Sequence, residues 1–316
     1  MSQPKTHFAE HSVPVAAPAD VIYDLIADVT GWPRMFSPTV HAERVAGDDE
    51  QERIRLWALA NGEVRTWTSR RALDRAERRI IFRQEAPQAP MASMGGEWRI
   101  TPGPDGTCTV VLLHDFAAVD DDPEGLDWIE RAVDRNSRAE LAALQAAAED
   151  HDRVAELVLS FEDSVTVDGP LSDVHGFIER CERWPERLPH VARLELTETT
   201  PGLQLMSMDT RSPDGTIHTT ESVRVCFETP RIVYKQTQVP PIMTAHTGEW
   251  TFRATPEGVV ATSHHTVAIN PRTVSELLGK QATIADARHA VRKALGTNSL
   301  ATLRLAKAYA EGADRA

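Results

Sequence analysis

The chain has 316 residues, 41% hydrophobic and 26% charged, with a net charge of −13. That length suggests about two domains with ample material for real cores, and the acidic balance disfavours nucleic-acid binding, which needs a basic footprint. The start has no apolar run after its positive residue, and the longest apolar runs, such as Val110–Leu113, fall far short of a bilayer span, so a cytoplasmic protein without membrane contact is expected.

In chain order, an alternating strand over Ser12–Val15 ends at Pro18, and Ala19–Val29 carries Val21, Ile22, Leu25 and Ile26 at helical spacing. Gly31-Trp32-Pro33 is expected to stop that helix. Several strands follow, parted by the turn signals Gly47-Asp48-Asp49, Ala60-Asn61-Gly62 and Pro104-Asp105-Gly106. In Glu63–Arg71, alternation puts Trp67, Ser69 and Arg71 on one face, and Leu73 continues that face and marks it as covered. A buried arginine needs a carboxylate, hydrogen bonds or a ligand. Arg71 therefore either pairs with an internal acid or offers fixed charge, beside a hydroxyl and an indole, to an oxygen-rich ligand. His114 shares an inward apolar face with Leu112 and Phe116. Pro123 and Glu124 open a long helix with Leu126, Ile129, Val133, Leu141 and Leu144 on one side. Asn136, three after Val133 and seven after Ile129, is expected on that stripe.

The chain then repeats itself. Ser12–Pro18 returns as Ser164–Pro170, Trp32-Pro33 as Trp184-Pro185, and Gly96-Glu97-Trp98 as Gly248-Glu249-Trp250, all at one offset. Asn136-Ser137 returns as Asn298-Ser299 at a longer offset, so a segment before the last helix has grown. A period this long excludes a solenoid and gives two tandem copies of one domain, residues 1–150 and 151–316, with the seam in the charged stretch Ala147–Glu156. Each copy reads as α+β, a curved antiparallel sheet around a long C-terminal helix with a cavity between them. Ser222 and Arg224 stand where Ser69 and Arg71 stand, but Thr220 replaces Trp67, so the second copy keeps the charge and loses the stacking surface. Of the adjacent His264 and His265 only one can face inward. Cys108, Cys181 and Cys226 are odd in number and lack C-x-x-C spacing, which suits reduced buried thiols better than disulfides or zinc. No dinucleotide motif is present, and His218, His246 and His264-His265 lack metal-ligand spacing, so neither cofactor nor metal is expected.

The order of elements resembles the helix-grip fold of the Bet v 1/START-like superfamily. More narrowly, Gly31-Trp32-Pro33 with Phe36-Ser37, Trp67-Thr68-Ser69-Arg70-Arg71 and Met94-Gly95-Gly96-Glu97-Trp98 resemble the aromatase/cyclases of bacterial type II polyketide synthases, and two copies in one chain resemble the di-domain subclass. The resemblance implies a cofactor-independent enzyme of antibiotic biosynthesis. It would close the first ring of a poly-β-ketone by an intramolecular aldol reaction, aromatise it with loss of water, or do both. It also implies an acyl carrier protein holding the substrate, with other synthase components as partners. On that footing Arg71 would steady a ketone oxygen as charge develops, and Ser69 and His114 would position or move protons. Trp32, Trp67, Trp98, Met91, Phe82 and Asn136 would line the substrate pocket. Arg224, Ser222, His265, Asn298 and Trp184 would form the matching pocket of the second copy, expected to be a degenerate partner. Arg70, Arg75, Arg78, Arg79 and Arg83 would offer a docking face to an acidic carrier protein. The rival reading is a non-catalytic carrier of hydrophobic ligands with the same fold, in which Arg71 clamps a carboxylate or phosphate. A third, a protein–protein adaptor, would need a large exposed apolar patch and no sizeable cavity.

Overall fold

The computed structural model describes residues 4–60, 62–211 and 215–312; Asn61 of the second turn signal and the first three residues of the apolar-poor start lie outside them. The chain forms two compact units that part between Asp152 and Arg153. Among the described residues, no helix is long and apolar enough to cross a membrane.

The first unit runs β1 (His7–Val15), α1 (Ala19–Ala27), α2 (Trp32–Met35), β2 (Thr39–Gly47), β3 (Gln51–Ala60), β4 (Glu63–Asp74), β5 (Arg79–Gln84), β6 (Met91–Pro102), β7 (Cys108–Ala118) and α3 (Pro123–Glu149). Its strands form one sheet in the order β1-β7-β6-β5-β4-β3-β2. The second unit repeats the plan with α4 (Val154–Leu157), β8 (Val158–Val167), α5 (Leu171–Glu179), α6 (Trp184–Arg187), β9 (Val191–Thr200), β10 (Leu203–Arg211), β11 (Ile217–Cys226), β12 (Arg231–Gln238), β13 (Met243–Thr255), β14 (Gly258–Ile269), α7 (Val274–Leu278) and α8 (Ile284–Ala310). Its sheet order is β8-β14-β13-β12-β11-β10-β9. The extra α7 lies in the segment by which the second copy is longer. Each unit is a helix-grip fold.

Local chemistry explains the boundaries. α1 buries Ile22, Tyr23 and Ile26 and ends at Ala27, before the predicted stop. Asp28 goes extended and accepts a hydrogen bond from Thr30 N at 3.0 Å, which starts a 3-10 turn over Val29–Gly31. Trp32-Pro33 then opens α2 rather than merely closing α1, because proline suits a first helical turn whose N–H groups lack partners anyway. Asp122 caps α3 by accepting from Gly125 N, and Thr283 with Asp286 forms a reciprocal capping box on α8.

The buried stripe of α3 is Ile129, Val133, Ser137, Leu141, Leu144 and Ala148, advancing mostly by fours. Asn136 is exposed, contrary to expectation, and so is Asn298. A position three after Val133 is turned about 60° away from it, opposite to the stripe's drift. The serine that follows each asparagine, Ser137 or Ser299, is the buried residue. Trp98 also departs from the pocket role: 5% exposed, it packs in the main core with Ile80, Leu112, Leu141 and Leu144.

One row of direct sheet partners crosses the first unit, Ala9–His114–Gly96–Phe82–Arg71. The second unit carries the row Phe161–His265–Gly248–Tyr234–Arg224–Gln204. The glycine of each Gly-Glu-Trp motif sits under a ring. A Cβ on Gly96 would lie 2.1 Å from Leu113 O and 2.6 Å from Phe82 Cζ, and one on Gly248 would lie 2.3 Å from His264 O and 2.5 Å from Tyr234 Oη. Removing that carbon lets the ring reach across to the histidine. Gly96→Ala and Gly248→Ala should therefore each lower stability by about 1–3 kcal/mol through overpacking. Thermal denaturation of the full chain checks this, and wild-type melting curves would refute it.

Candidate active site

The helix α1 leaves its last carbonyls without intrahelical partners, and they face the sheet rather than water. Arg71 on β4 takes them up. It is 2% exposed, donating from Nη2 to Ile26 O at 2.8 Å and from Nη1 to Ala27 O at 3.2 Å. Its Nη1 also lies 3.0 Å from Oε1 of the buried Glu52, and its guanidinium sits 5.3 Å from the centre of the Trp32 ring. Burial holds Arg71 down to about 10, still charged at neutral pH, and pushes the Glu52 carboxyl up against the pull of that charge.

The second unit builds the same lock. Arg224 donates to Ile178 O at 2.6 Å and Glu179 O at 3.3 Å, lies 5.1 Å from the Trp184 ring centre, and meets Gln204 Oε1 at 2.8 Å where the first unit has Glu52. Both arginines thus have partners inside the protein, Arg71 a carboxylate and two carbonyls, Arg224 an amide and two carbonyls. Trp32 and Trp184 are the platforms beneath them. Trp184 spends its indole N–H on Phe177 O at 3.2 Å, whereas the buried Trp32 Nε1 has no acceptor among the described residues. Trp67 packs with Trp32 against Val29, Ala42, Ile54 and Leu56, Met91 packs against Met94 and Phe116, and Ser69 and Ser222 are buried.

His114 faces the closing helix. Its Nδ1 is 3.4 Å from Ser137 Oγ, and the Phe82 ring meets it edge-on at 5.6 Å. Burial pushes its imidazole down to about 4, so it is neutral at physiological pH. Glu140 lies one turn beyond Ser137 on the same side of α3. It keeps part of its accessible surface, yet burial alone pushes its carboxyl up to about 7, and among the described residues no cation pairs with it.

In the second unit, His265 faces inward and His264 outward, which fixes the register of that pair. Tyr234 Oη lies 2.9 Å from His265 Nδ1, His246 Nε2 lies 3.0 Å from the same nitrogen, and Ser263 Oγ lies 3.1 Å from His265 Nε2. The five arginines proposed as a docking face are neutralised in place. Arg70 pairs with Glu85, Arg75 with Asp24, Arg78 with Asp20, Arg79 with Glu97 and Arg83 with Asp115. Sequence reasoning missed Glu52, Ser137, Glu140, Tyr234 and Ser263, and weighed His246 only as a metal ligand.

Residues 6–149 match the family described as polyketide cyclase / dehydrase and lipid transport, and residues 167–289 match a second family of the same description. The chain is 48% identical over 317 residues to the granaticin polyketide synthase bifunctional cyclase/dehydratase of Streptomyces violaceoruber, spanning 100% of this chain and 97% of that protein. It is 47% identical over 320 residues to the actinorhodin polyketide synthase bifunctional cyclase/dehydratase of Streptomyces coelicolor, spanning 98% and 99%. Among solved structures, the di-domain ARO/CYC BexL from the BE-7585A biosynthetic pathway matches with a TM-score of 0.88 at 52% identity, over 96% of this chain and 99% of that one. The di-domain ARO/CYC StfQ from the steffimycin biosynthetic pathway matches with a TM-score of 0.85 at 37% identity, over 98% and 100%.

The lock itself is testable by denaturation of the full chain. Arg71→Ala strands a buried carboxyl and two helix carbonyls and should cost about 3–5 kcal/mol. Glu52→Gln installs the amide that the second unit already carries at Gln204 and should cost less than about 1 kcal/mol. Equal losses in the two variants would refute this account.

Proposed function

The chain belongs to the polyketide cyclase/dehydrase family, and from that membership we propose that its first unit closes a ring in a poly-β-ketone, with His114, Ser137 and Glu140 handling the protons. It is an enzyme, a cyclase/dehydratase of polyketide biosynthesis. Aldol ring closure needs a base for an activated methylene and an acid for the ketone oxygen as the carbon–carbon bond forms. The neutral imidazole of His114 can take the first proton, and Ser137 Oγ at 3.4 Å fixes its ring. Glu140, at about 7, keeps a proton on a large fraction of molecules near neutrality and can deliver it to the oxygen. The unspent indole N–H of Trp32 gives a second oxygen of the chain a donor. Arg71 acts here as a positioning residue that holds α1 and Trp32 to the sheet. Folding a flexible chain against these walls supplies much of the rate by bringing the reacting carbons together.

The observation that carries this reading is Glu140, a partly buried carboxyl of the closing helix without a counter-charge among the described residues, one turn from the serine that meets His114. A hydrophobic-ligand carrier would have no use for it. The enzyme works among other components of a polyketide synthase, and an acyl carrier protein presents the chain. Because the arginines of β4, β5 and the turn between them are already paired, docking of the carrier does not rest on their charge. Cys108, Cys181 and Cys226 are all free thiols, in keeping with a cytoplasmic setting.

The pH profile tests the roles. With a carrier-tethered polyketide, kcat/KM for ring closure should fall above about pH 7 as Glu140 loses its proton, and below about pH 4 as His114 gains one. Glu140→Gln should slow closure about 100-fold or more and abolish the alkaline limb. Wild-type products with an unchanged profile from a folded Glu140→Gln variant would remove Glu140 from the chemistry.

A further inference from the structure

The inner rows of the two units share a frame but not their side chains. Where the first unit has Phe82, Met94 and Leu112 around His114, the second has Tyr234, His246 and Ser263 around His265. The register makes this one constellation. Tyr234 and Gly248 are direct partners, as are Gly248 and His265. His246 lies two before Gly248 and Ser263 two before His265, so all four side chains share one face of β12, β13 and β14.

The apolar set of the first unit demonstrates that this fold has no need of polar groups here. Each one buried must be matched by hydrogen bonds or it destabilises the protein. Ser263, His246 and His265 are 0%, 2% and 4% exposed, while Tyr234 is half-buried and forms the accessible tip of the group. The matching is incomplete. Two groups, Tyr234 Oη at 2.9 Å and His246 Nε2 at 3.0 Å, converge on the single nitrogen His265 Nδ1, and His246 Nδ1 has no partner at all among the described residues. Tyr234 Oη and His246 Nε2 also lie 3.4 Å apart, so Tyr234 can donate to His265 Nδ1 while accepting from His246, and the group left over for a ligand is His246 Nδ1. The plane of His265 is fixed from its other side by Phe161, stacked at 4.9 Å. A metal does not account for the pair, because among the described residues no third His, Cys, Asp or Glu joins it.

We infer that the second unit is a separate acid–base site, in which Tyr234, backed by His265, His246 and Ser263, expels a hydroxyl as water from an aldol-type β-hydroxy ketone ring. The inference rests on the cyclase/dehydratase reading above and assigns the loss of water to the second unit. The proton on the carbon beside the ketone passes to the imidazole pair. The Tyr234 proton goes to the departing hydroxyl, the C–O pair leaves with it as water, and the C–H pair becomes the new C=C bond. The imidazolium then returns a proton to the tyrosinate across the 2.9 Å bond, so nothing is oxidised or reduced. Burial suits the cycle: it pushes Tyr234 up and His265 and His246 down to about 4 and about 3, so the resting cluster is neutral.

The test is Tyr234→Phe in the full chain, given a carrier-tethered polyketide and followed by mass spectrometry over time. The first unit already carries phenylalanine at the matching place over Gly96, so the variant keeps a proven packing. Linear substrate should disappear at the wild-type rate, while a ring one water heavier than the wild-type product accumulates and aromatises about 100-fold more slowly. His246→Met, which copies Met94, should slow the same step with the melting temperature held. Aromatic product at the wild-type rate from both variants would make the cluster structural and overturn the inference. Loss of linear-substrate consumption in a folded Tyr234→Phe variant would also overturn it, because the units would then not divide the work. Failure of the first-unit reading is seen separately, in Glu140→Gln alone.

Discussion

Each half of this protein depends on one buried arginine that ties the end of a helix to the middle of a sheet. A short helix laid on a sheet has a weak point at its C-terminus, where carbonyls lose their partners just as the chain turns inward. Arg71 and Arg224 solve this identically, each bonding two carbonyls and resting near a tryptophan ring. The Trp-Pro turn, the arginine strand and the first helix are thereby one mechanical unit. This explains why such distant pieces of sequence recur together. It also gives the charge that looks most catalytic in the sequence a structural task, since Arg71 holds the wall together.

Beyond that lock the two halves differ. The first sets an aromatic edge and a helix serine against its histidine. The second surrounds its histidine with a phenol, another imidazole and a serine. Burial keeps His114, His265 and His246 neutral at physiological pH, because a charge there would lack the solvation it needs.

Much of the architecture was legible in the sequence, because repeats and apolar periodicity are local signals. The tandem copies, the closing helices and the covered face of Trp67, Ser69 and Arg71 could be read directly. Asn136 and Asn298 were placed wrongly by a single helical phase, since a three-residue step and a four-residue step both read as one face until the neighbouring stripe is known. Glu140 was visible as a carboxyl seven after Val133, but its meaning lies in the absence of a nearby cation, which no spacing reveals. Tyr234, His246 and Ser263 sit on three strands whose register no local pattern dictates. The partners of Arg71 are mostly backbone carbonyls, which carry no residue identity. The arginines of β4, β5 and the turn between them looked like a cationic face because their acids come from α1, β6, β7 and the residue after β5.

The seat over Gly96 and Gly248 has an evolutionary consequence. It accepts phenylalanine in one half and tyrosine in the other over the same glycine and toward the same histidine, although Met94 and Leu112 give way to His246 and Ser263 around them. After an ancestral duplication, reactivity at that seat was open to change by a minimal step that left folding untouched. The occupant of that seat is a variable that the backbone of the scaffold leaves open.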